Sequence, residues 1–433
     1  MRFNENSQLR RYGIAAAILG VMAVGATAPT VAAEVKPVTI RFTSDLTGPP
    51  HPAAIAKEFF KETIEKRIPG SKVRTYYAGA LYNIPEAVEA MTEGNLEMAW
   101  GQFGKSAQID PFMNVVVGPM LMSTPGAMNQ LDNFETVKML KARMAKVHDV
   151  KVFATAHLSM YMGAGAGFRL LGLDDFKGKK IRSMGPAENA ALSAWGANPT
   201  TMAFGDVPPA LQTGVIDGLL TSLGGFNVTK DQAPYYTIAG INGIVGDYYW
   251  IGASGKWWRS LDSKQQAIIE DVLVNQVIPF QKKMNWCNDK RLLDKFETKD
   301  PSKPGIYVMN AAEQKVLADK LGDATTNWLK KNTPDDANMW VDKFKVEAAA
   351  AVAANPMGSD ALESTDCSKM QSWFNRYALD VWGVHGMGGL TGAILTGTLA
   401  SPHVWDTGDG IGAWTGTAEG MEQQAISIIG AAI

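Results

Sequence analysis

Residues 38–100 read VTIRFTSDLTGPPHPAAIAKEFFKETIEKRIPGSKVRTYYAGALYNIPEAVEAMTEGNLEMAW, and the succession of patterns in this stretch decides the fold class. Val38 to Thr43 alternates apolar and polar side chains, which predicts a strand. The turn Gly48-Pro49-Pro50 follows, and Ala53 to Ile68 then carries apolar residues at helical spacing with Lys and Glu between them. Lys72 to Tyr77 predicts a second strand. Pro85 to Thr92 predicts a helix opened by proline and stopped near Gly94, and Leu96 to Trp100 a third strand. Strand and helix in strict alternation are the mark of an α/β unit with a parallel sheet.

The same grammar returns downstream. Lys180-Ile181-Arg182 predicts a short strand, Glu188 to Trp195 a helix closed by Gly196, and Thr201 to Phe204 another strand. Asp206 is placed to cap a helix running to Thr213, with Pro208 and Pro209 in its first turn, where proline is tolerated. Gly214 ends that helix, and Val215-Ile216-Asp217-Gly218 leads into a further strand. Two α/β lobes are therefore expected. Ser260 to about Arg291 predicts one long helix, opened by Leu261-Asp262-Ser263. From Trp382 to Trp405 the chain has no Asp, Glu, Lys or Arg, yet glycine interrupts each apolar run, as in Gly386-Met387-Gly388-Gly389. That predicts a surface-packed extension or a flexible tail rather than a membrane span.

The bulk numbers agree. A chain of 433 residues with 46% hydrophobic and 19% charged residues can bury two cores. Lys and Arg total 41 against 43 Asp and Glu, so there is no basic face for nucleic acid. Arg10 and Arg11 precede an apolar run from Ile14 to Val24, and Val31-Ala32-Ala33 supplies the small residues of a cleavage site, which predicts a secretory signal peptide. The paired arginines leave Sec and Tat export both open. Cys287 and Cys367 are the two cysteines of the chain, either paired in an oxidising compartment or free. The histidines at 51, 148, 157, 385 and 403 are scattered, without metal-ligand spacing.

Enzyme chemistry finds little support. The chain has no GxSxG elbow and no P-loop, and Gly163-Ala164-Gly165-Ala166-Gly167 has the wrong spacing for a dinucleotide loop. No cofactor and no catalytic set are expected. Asp174 and Asp175 precede Lys177-Gly178-Lys179 in a turn and read as solvated. Arg182 leaves a predicted strand toward a small, polar segment. By its own residues it reads either as a surface ion pair or as a bidentate clamp for a carboxylate.

Three blocks in order, Asp175 to Arg182, Gly196-Ala197-Asn198-Pro199 and Ala210 to Gly218, resemble the solute-binding proteins of TRAP transporters (tripartite ATP-independent periplasmic transporters), of the DctP type. Ala78 to Tyr82, Met91 to Ala99 and Trp258 to Asp262 fit the same family in the right order. The resemblance implies a two-lobed α/β periplasmic binding protein fold, type II-like, with crossing strands and a long bridging helix. After the signal peptide at 1–33, the expected organisation is a lobe of 34–157 plus 248–300, a second lobe of 158–247 and a C-terminal helical region of 301–381; the Gly-rich extension at 382–433 lies outside the usual family pattern. The resemblance implies a periplasmic protein that is not an enzyme, with a small organic carboxylate as ligand and integral membrane subunits as partners.

The resemblance also implies that Arg182 clamps the ligand carboxylate. Gln102, Asp45 and Phe204 match pocket positions, and Trp195 and Tyr248 are further candidates. Where many relatives carry Gln-Glu-Asn after Asp217-Gly218, this chain reads Leu219-Leu220-Thr221, which puts Thr221 in place of an amide. Where some relatives have a second arginine upstream, Met162 stands, with Arg169 the nearest cation. The expected ligand is therefore a monocarboxylate with an apolar or aromatic body. A secreted enzyme on the same scaffold and the binding protein of an ATP-driven importer are the alternatives.

Overall fold

The computed structural model describes residues 35–381, so the predicted signal segment and the Gly-rich extension lie outside the described residues. The strands in chain order are β1 Thr39–Ser44, β2 Lys72–Thr75, β3 Met98–Gln102, β4 Val150–Ala156, β5 Tyr161–Ala166, β6 Lys180–Ser183, β7 Asn198–Thr201, β8 Gly218–Ser222, β9 Tyr235–Ile241, β10 Tyr249–Ser254 and β11 Gly305–Val308. They form a five-stranded sheet in the order β2-β1-β3-β10-β4 and a six-stranded sheet in the order β11-β9-β5-β8-β6-β7.

Both sheets are mixed, which corrects the expectation of a purely parallel arrangement. β1 runs parallel to β2 and β3, but β10 runs antiparallel to β3 and β4. In the second sheet β6 is parallel to β7 and β8, while β5 is antiparallel to β8 and β9. The cause is the path of the chain. It leaves the first sheet after Ala156, enters the second at Tyr161, and returns between Ile241 and Tyr249 to insert β10 the other way. β11 then joins the second sheet beside β9, from a region expected to be helical. The glycines of 163–167 lie largely within β5, so that run is strand and not a phosphate loop.

Two other elements differ from expectation. The strand expected over Thr201 to Phe204 instead spans Asn198–Thr201 at the sheet edge, where Pro199 can sit without breaking a shared ladder. The helix expected after Asp206 is found at Val207–Gln212 with Asp206 in the N-cap position, but Asp206 makes no side-chain capping bond. The long helix runs over Ser263–Asp271, a π-helical turn at Val272–Val277 and Ile278–Phe296. Pro279 follows directly after the wide turn; it has no N–H to give to the carbonyl four residues back, and such bulges relieve that mismatch.

This helix packs against both the first helix, Pro52–Arg67, and Leu223–Thr229 beside the second sheet. Its Asp289 accepts from Ser159 Oγ at 2.7 Å, Met160 N at 2.7 Å and Tyr161 N at 2.9 Å, which pins the outgoing crossing segment. Asn285 donates to the His157 carbonyl at 2.8 Å. One apolar core lies around the first sheet and takes in Val341, Phe344 and Phe374 from the C-terminal helices, and another gathers Phe176, Ile181 and Trp195 beside the second. Cys287 and Cys367 are disulfide-bonded, with Cα atoms 5.3 Å apart, so the last described helix, Ser368–Val381, is tied to the bridging helix.

Candidate functional site

A cleft, with about 420 Å³ of empty space counted together with the open solvent at its mouth, lies where the C-terminal ends of strands from both sheets meet. In open α/β sheets the crevice outside those ends is where ligands sit, because the connections there are free to diverge. β1 delivers Asp45 and Leu46, β3 delivers Gln102 and then Lys105, β6 delivers Arg182 and Met184, and β8 delivers Thr221 and Ser222. Phe204 comes from the turn after β7, and Leu158 and Tyr249 come from the two crossing segments. Arg182, Gln102, Phe204, Thr221 and Asp45, all candidates from the sequence, are thus brought together.

Trp195 and Tyr248 are not. Trp195 is buried in the second core, where its Nε1 donates to the Leu317 carbonyl at 2.9 Å and its ring packs on Phe176. Tyr248 turns into the first core against Phe344, with ring centroids 6.1 Å apart. Successive residues of an extended chain point to opposite sides, so Tyr249 reaches the cavity instead. Arg169, the nearest upstream cation, is also spoken for: it donates to the carbonyls of Tyr236, Pro301, Lys303 and Gly305 and anchors the loop before β11.

Arg182 is the central group. It is only 2% exposed, yet among the described residues it makes no ion pair. Its Nε and Nη2 both donate to the Met202 carbonyl, at 3.0 and 2.9 Å, and Nη1 donates to the Leu220 carbonyl at 2.9 Å. A guanidinium has five N–H groups. Three are engaged, which leaves one hydrogen on each Nη beside the cavity. Burial pulls the guanidinium below its usual pKa, and Glu188, Tyr249 and Asp45 act in the opposite direction. It remains a cation held in place by neutral carbonyls, a poised site for an anion.

The other charges at the cavity are already balanced. Lys105 is paired with one oxygen of Asp45, whose second oxygen, Oδ1, is buried without a hydrogen-bond partner. His51 sits in the N-cap position of the first helix, and its Nδ1 accepts from Ala53 N at 3.2 Å. Burial pushes its pKa down to about 4, so at neutral pH the ring is uncharged and its proton is on Nε2, against the bare face of Gly224. His51, Lys105 and Ser222 escaped the sequence reading. The signal for His51 was its place between a Gly-Pro-Pro turn and a proline-opened helix, where capping residues fall.

Two acids lie buried behind Arg182. Glu188 Oε2 accepts from the backbone amides of Met184 and Gly185, at 2.6 and 3.0 Å. Asp247 Oδ1 accepts from those of Gly104 and Tyr248, at 3.2 and 2.7 Å. Burial pushes Glu188 up to about 8 and Asp247 up to about 7, and the charge of Asp247 adds to the rise at Glu188. Among the described residues no three His, Cys, Asp or Glu side chains form a metal-ligand set.

With this geometry in hand, known proteins add a family. The sequence profile of bacterial extracellular solute-binding proteins, family 7, matches residues 43–331. The C4-dicarboxylate-binding periplasmic protein DctP of Rhodobacter capsulatus is 31% identical over 210 residues, 46% of this chain and 61% of that protein, so the match spans less than two thirds of that relative. The 2,3-diketo-L-gulonate-binding periplasmic protein YiaO of Escherichia coli is 23% identical over 295 residues, 66% of this chain and 85% of that protein. Among solved structures, the sugar acid binding protein DctPAm of Advenella mimigardefordensis, in complex with galactonate, aligns with TM-score 0.63 at 20% identity over 72% of this chain and 99% of its own. A TRAP periplasmic solute binding protein of Desulfovibrio salexigens with bound orotic acid aligns with TM-score 0.64 at 19% identity over 72% and 99%. At these identities the solved structures establish the two-lobed fold.

Proposed function

The chain belongs to the bacterial extracellular solute-binding proteins of family 7, the solute-binding subunits of TRAP transporters, and from that premise we propose that it captures a small monocarboxylate with an apolar or aromatic body. The observation that carries this reading is Arg182, a buried cation beside the cavity with no carboxylate partner among the described residues. A ligand carboxylate would complete it, taking the two remaining N–H groups as a fork. Lys105 is neutralised by Asp45, so the cavity offers one uncompensated cation, which favours one carboxylate over two. Leu46, Leu158, Met184 and Phe204 supply apolar walls for the body of the ligand.

In this reading residues 34–157 with 248–300 and residues 158–247 act as two lobes that close over the ligand, and the closed protein delivers it to integral membrane subunits. Export by the N-terminal segment to the periplasm belongs to the same proposal. A thermal-shift screen tests it, because a ligand that binds only the folded state raises the melting temperature. The panel holds benzoate, phenylpyruvate, orotate, succinate and D-galactonate. Benzoate or phenylpyruvate should give the largest shifts. Stabilisation by succinate alone would replace the monocarboxylate reading with a dicarboxylate one.

A further inference from the structure

Glu188 and Asp247 lie 59 positions apart in sequence on different elements, one on the helix Pro186–Ala194 beside the second sheet, the other on the returning crossing segment. They flank a backbone contact. A methyl group built on Gly185 would lie 3.6 Å from the Gly104 carbonyl, and these two glycines donate their amides to Glu188 and Asp247 respectively. A methyl group on Gly104 would come within 2.4 Å of Asp247 Oδ2. Both side chains are fully enclosed. In each, one oxygen takes two backbone amides; Glu188 Oε1 has no hydrogen-bond partner, and Asp247 Oδ2 makes no hydrogen bond of normal geometry, with the Gln102 amide as its nearby polar neighbour.

A buried carboxylate oxygen without a donor is costly when ionised, and a proton on it removes the charge and turns an orphaned acceptor into a donor. The charged groups around the two acids are few. Arg182 and Asp247 act on Glu188, Lys105 acts on Asp247 together with the Gln102 amide, and the Tyr249 phenol feels Asp45, Asp247, Arg182 and Glu188 at once. With both acids ionised, two negative charges would compete with an incoming anion for the single cation at Arg182.

We propose that Glu188 and Asp247 form a proton-binding site behind Arg182, and that capture of an organic anion at Arg182 takes up a proton there. The inference rests on the reading of Arg182 as the carboxylate anchor. The anion's charge, added to a water-poor interior, raises the proton affinity of both acids, and a proton drawn from solvent restores the balance. The charge of Asp247 raises the proton affinity of Glu188, so ionisation of one acid opposes ionisation of the other. Burial has already raised Asp247 to about 7 and Glu188 to about 8, so the pair takes up protons in the range from about 7 to about 8. His51, at about 4, stays neutral throughout that range.

Calorimetry of the whole chain with benzoate, phenylpyruvate, orotate, succinate and D-galactonate tests this, in buffers of different ionisation enthalpy and on both sides of the pair's titration. Linkage predicts uptake of up to about one proton per anion bound, and affinity that weakens toward about tenfold per pH unit as the pair ionises. Glu188→Gln and Asp247→Asn should each flatten that slope and reduce the proton uptake while binding persists. Wild-type binding without proton uptake and without pH dependence overturns the inference alone. A slope retained in both variants overturns it as well. Failure of every acid to bind at any pH takes the proposed function and the inference together.

Discussion

Arg182 Nη1 donates to the Leu220 carbonyl at 2.9 Å, a bond from β6 to the neighbouring β8 that holds the guanidinium at the mouth of the cavity. With the two bonds to Met202 it makes Arg182 a tie within the second lobe as well as a candidate anchor. Arg182→Ala should therefore act twice. Loss of the ligand's partner should weaken binding by about 2–5 kcal/mol. Orphaning the buried Leu220 carbonyl and the half-buried Met202 carbonyl should lower folding stability by about 1–3 kcal/mol. Arg182→Lys keeps the charge without the fork, so it should recover binding only in part. Calorimetry beside apo melting curves separates the two effects; unchanged affinity in a folded Arg182→Ala protein refutes the anchor.

The Cys287–Cys367 disulfide closes a loop with a sequence separation of 80 residues. In the chain-entropy account, a loop of that size stabilises by about 4 kcal/mol. What it fastens is the last described helix, whose Trp373 packs on Phe280 and Phe59 with ring centroids 5.0 and 5.6 Å apart. Reduction, or the Cys287→Ser and Cys367→Ser pair, should lower the melting temperature and first expose that aromatic cluster, readable as a change in tryptophan fluorescence. Two titratable thiols in the denatured, unreduced protein would remove the basis of this expectation.

The parts of this structure legible in the sequence are those set by local pattern. β1, β2 and β3 follow from alternation, and the helix Ile84–Glu93 from its opening proline and closing glycine. Arg182 stood out at the end of a predicted strand, and Asp45, Gln102 and Thr221 were legible only through the resemblance to the family; each ends or follows a strand whose C-terminal end faces the crevice. Contacts across long stretches of chain were not. The indole of Trp195 is claimed by Leu317, 122 residues away, which no local pattern announces. The antiparallel insertion of β10 and the joining of β11 depend on where the chain returns, which periodicity does not encode. Glu188 and Asp247 meet only once both sheets are assembled.

Burial raises the pKa of Asp289 to about 6, against hydrogen bonds from Ser159, Tyr161 and Met160 that act the other way. Glu188 and Asp247 are raised further, to about 8 and about 7. A folded-state pKa above the unfolded one means the native protein binds more protons, so stability is fully present below the unfolded value and is lost as pH rises through the folded one. Unfolding free energy should thus decline from mildly acidic pH through about 6 to about 8. The rise at Asp289 alone is worth up to about 3 kcal/mol. Denaturant melts across this range check the sign, and Asp289→Asn should flatten the lower part of the decline. Stability that climbs with pH across the range would contradict it.

Gly225 lines the cavity at the start of the helix Leu223–Thr229, where its amide is capped by Ser222 Oγ at 3.1 Å. A methyl group there would lie 2.0 Å from Thr221 Oγ1 and 3.1 Å from the Phe204 ring. The Thr221 hydroxyl is buried and β8 holds its backbone between β5 and β6, so the strand cannot recede and the side chain must rotate. Phe204, in the turn after β7, is half-buried and free to shift into the cavity. Gly225→Ala should accordingly fold and narrow the space beside Arg182. Overpacking of this kind costs about 1–3 kcal/mol. If that cost falls on the occupied state, affinity drops by about fivefold to a hundredfold or more. The smallest acids of the panel should lose least and phenylpyruvate most. A uniform loss across all acids would place the damage in the Arg182 anchor rather than in the walls, and no loss at all would put the ligand elsewhere.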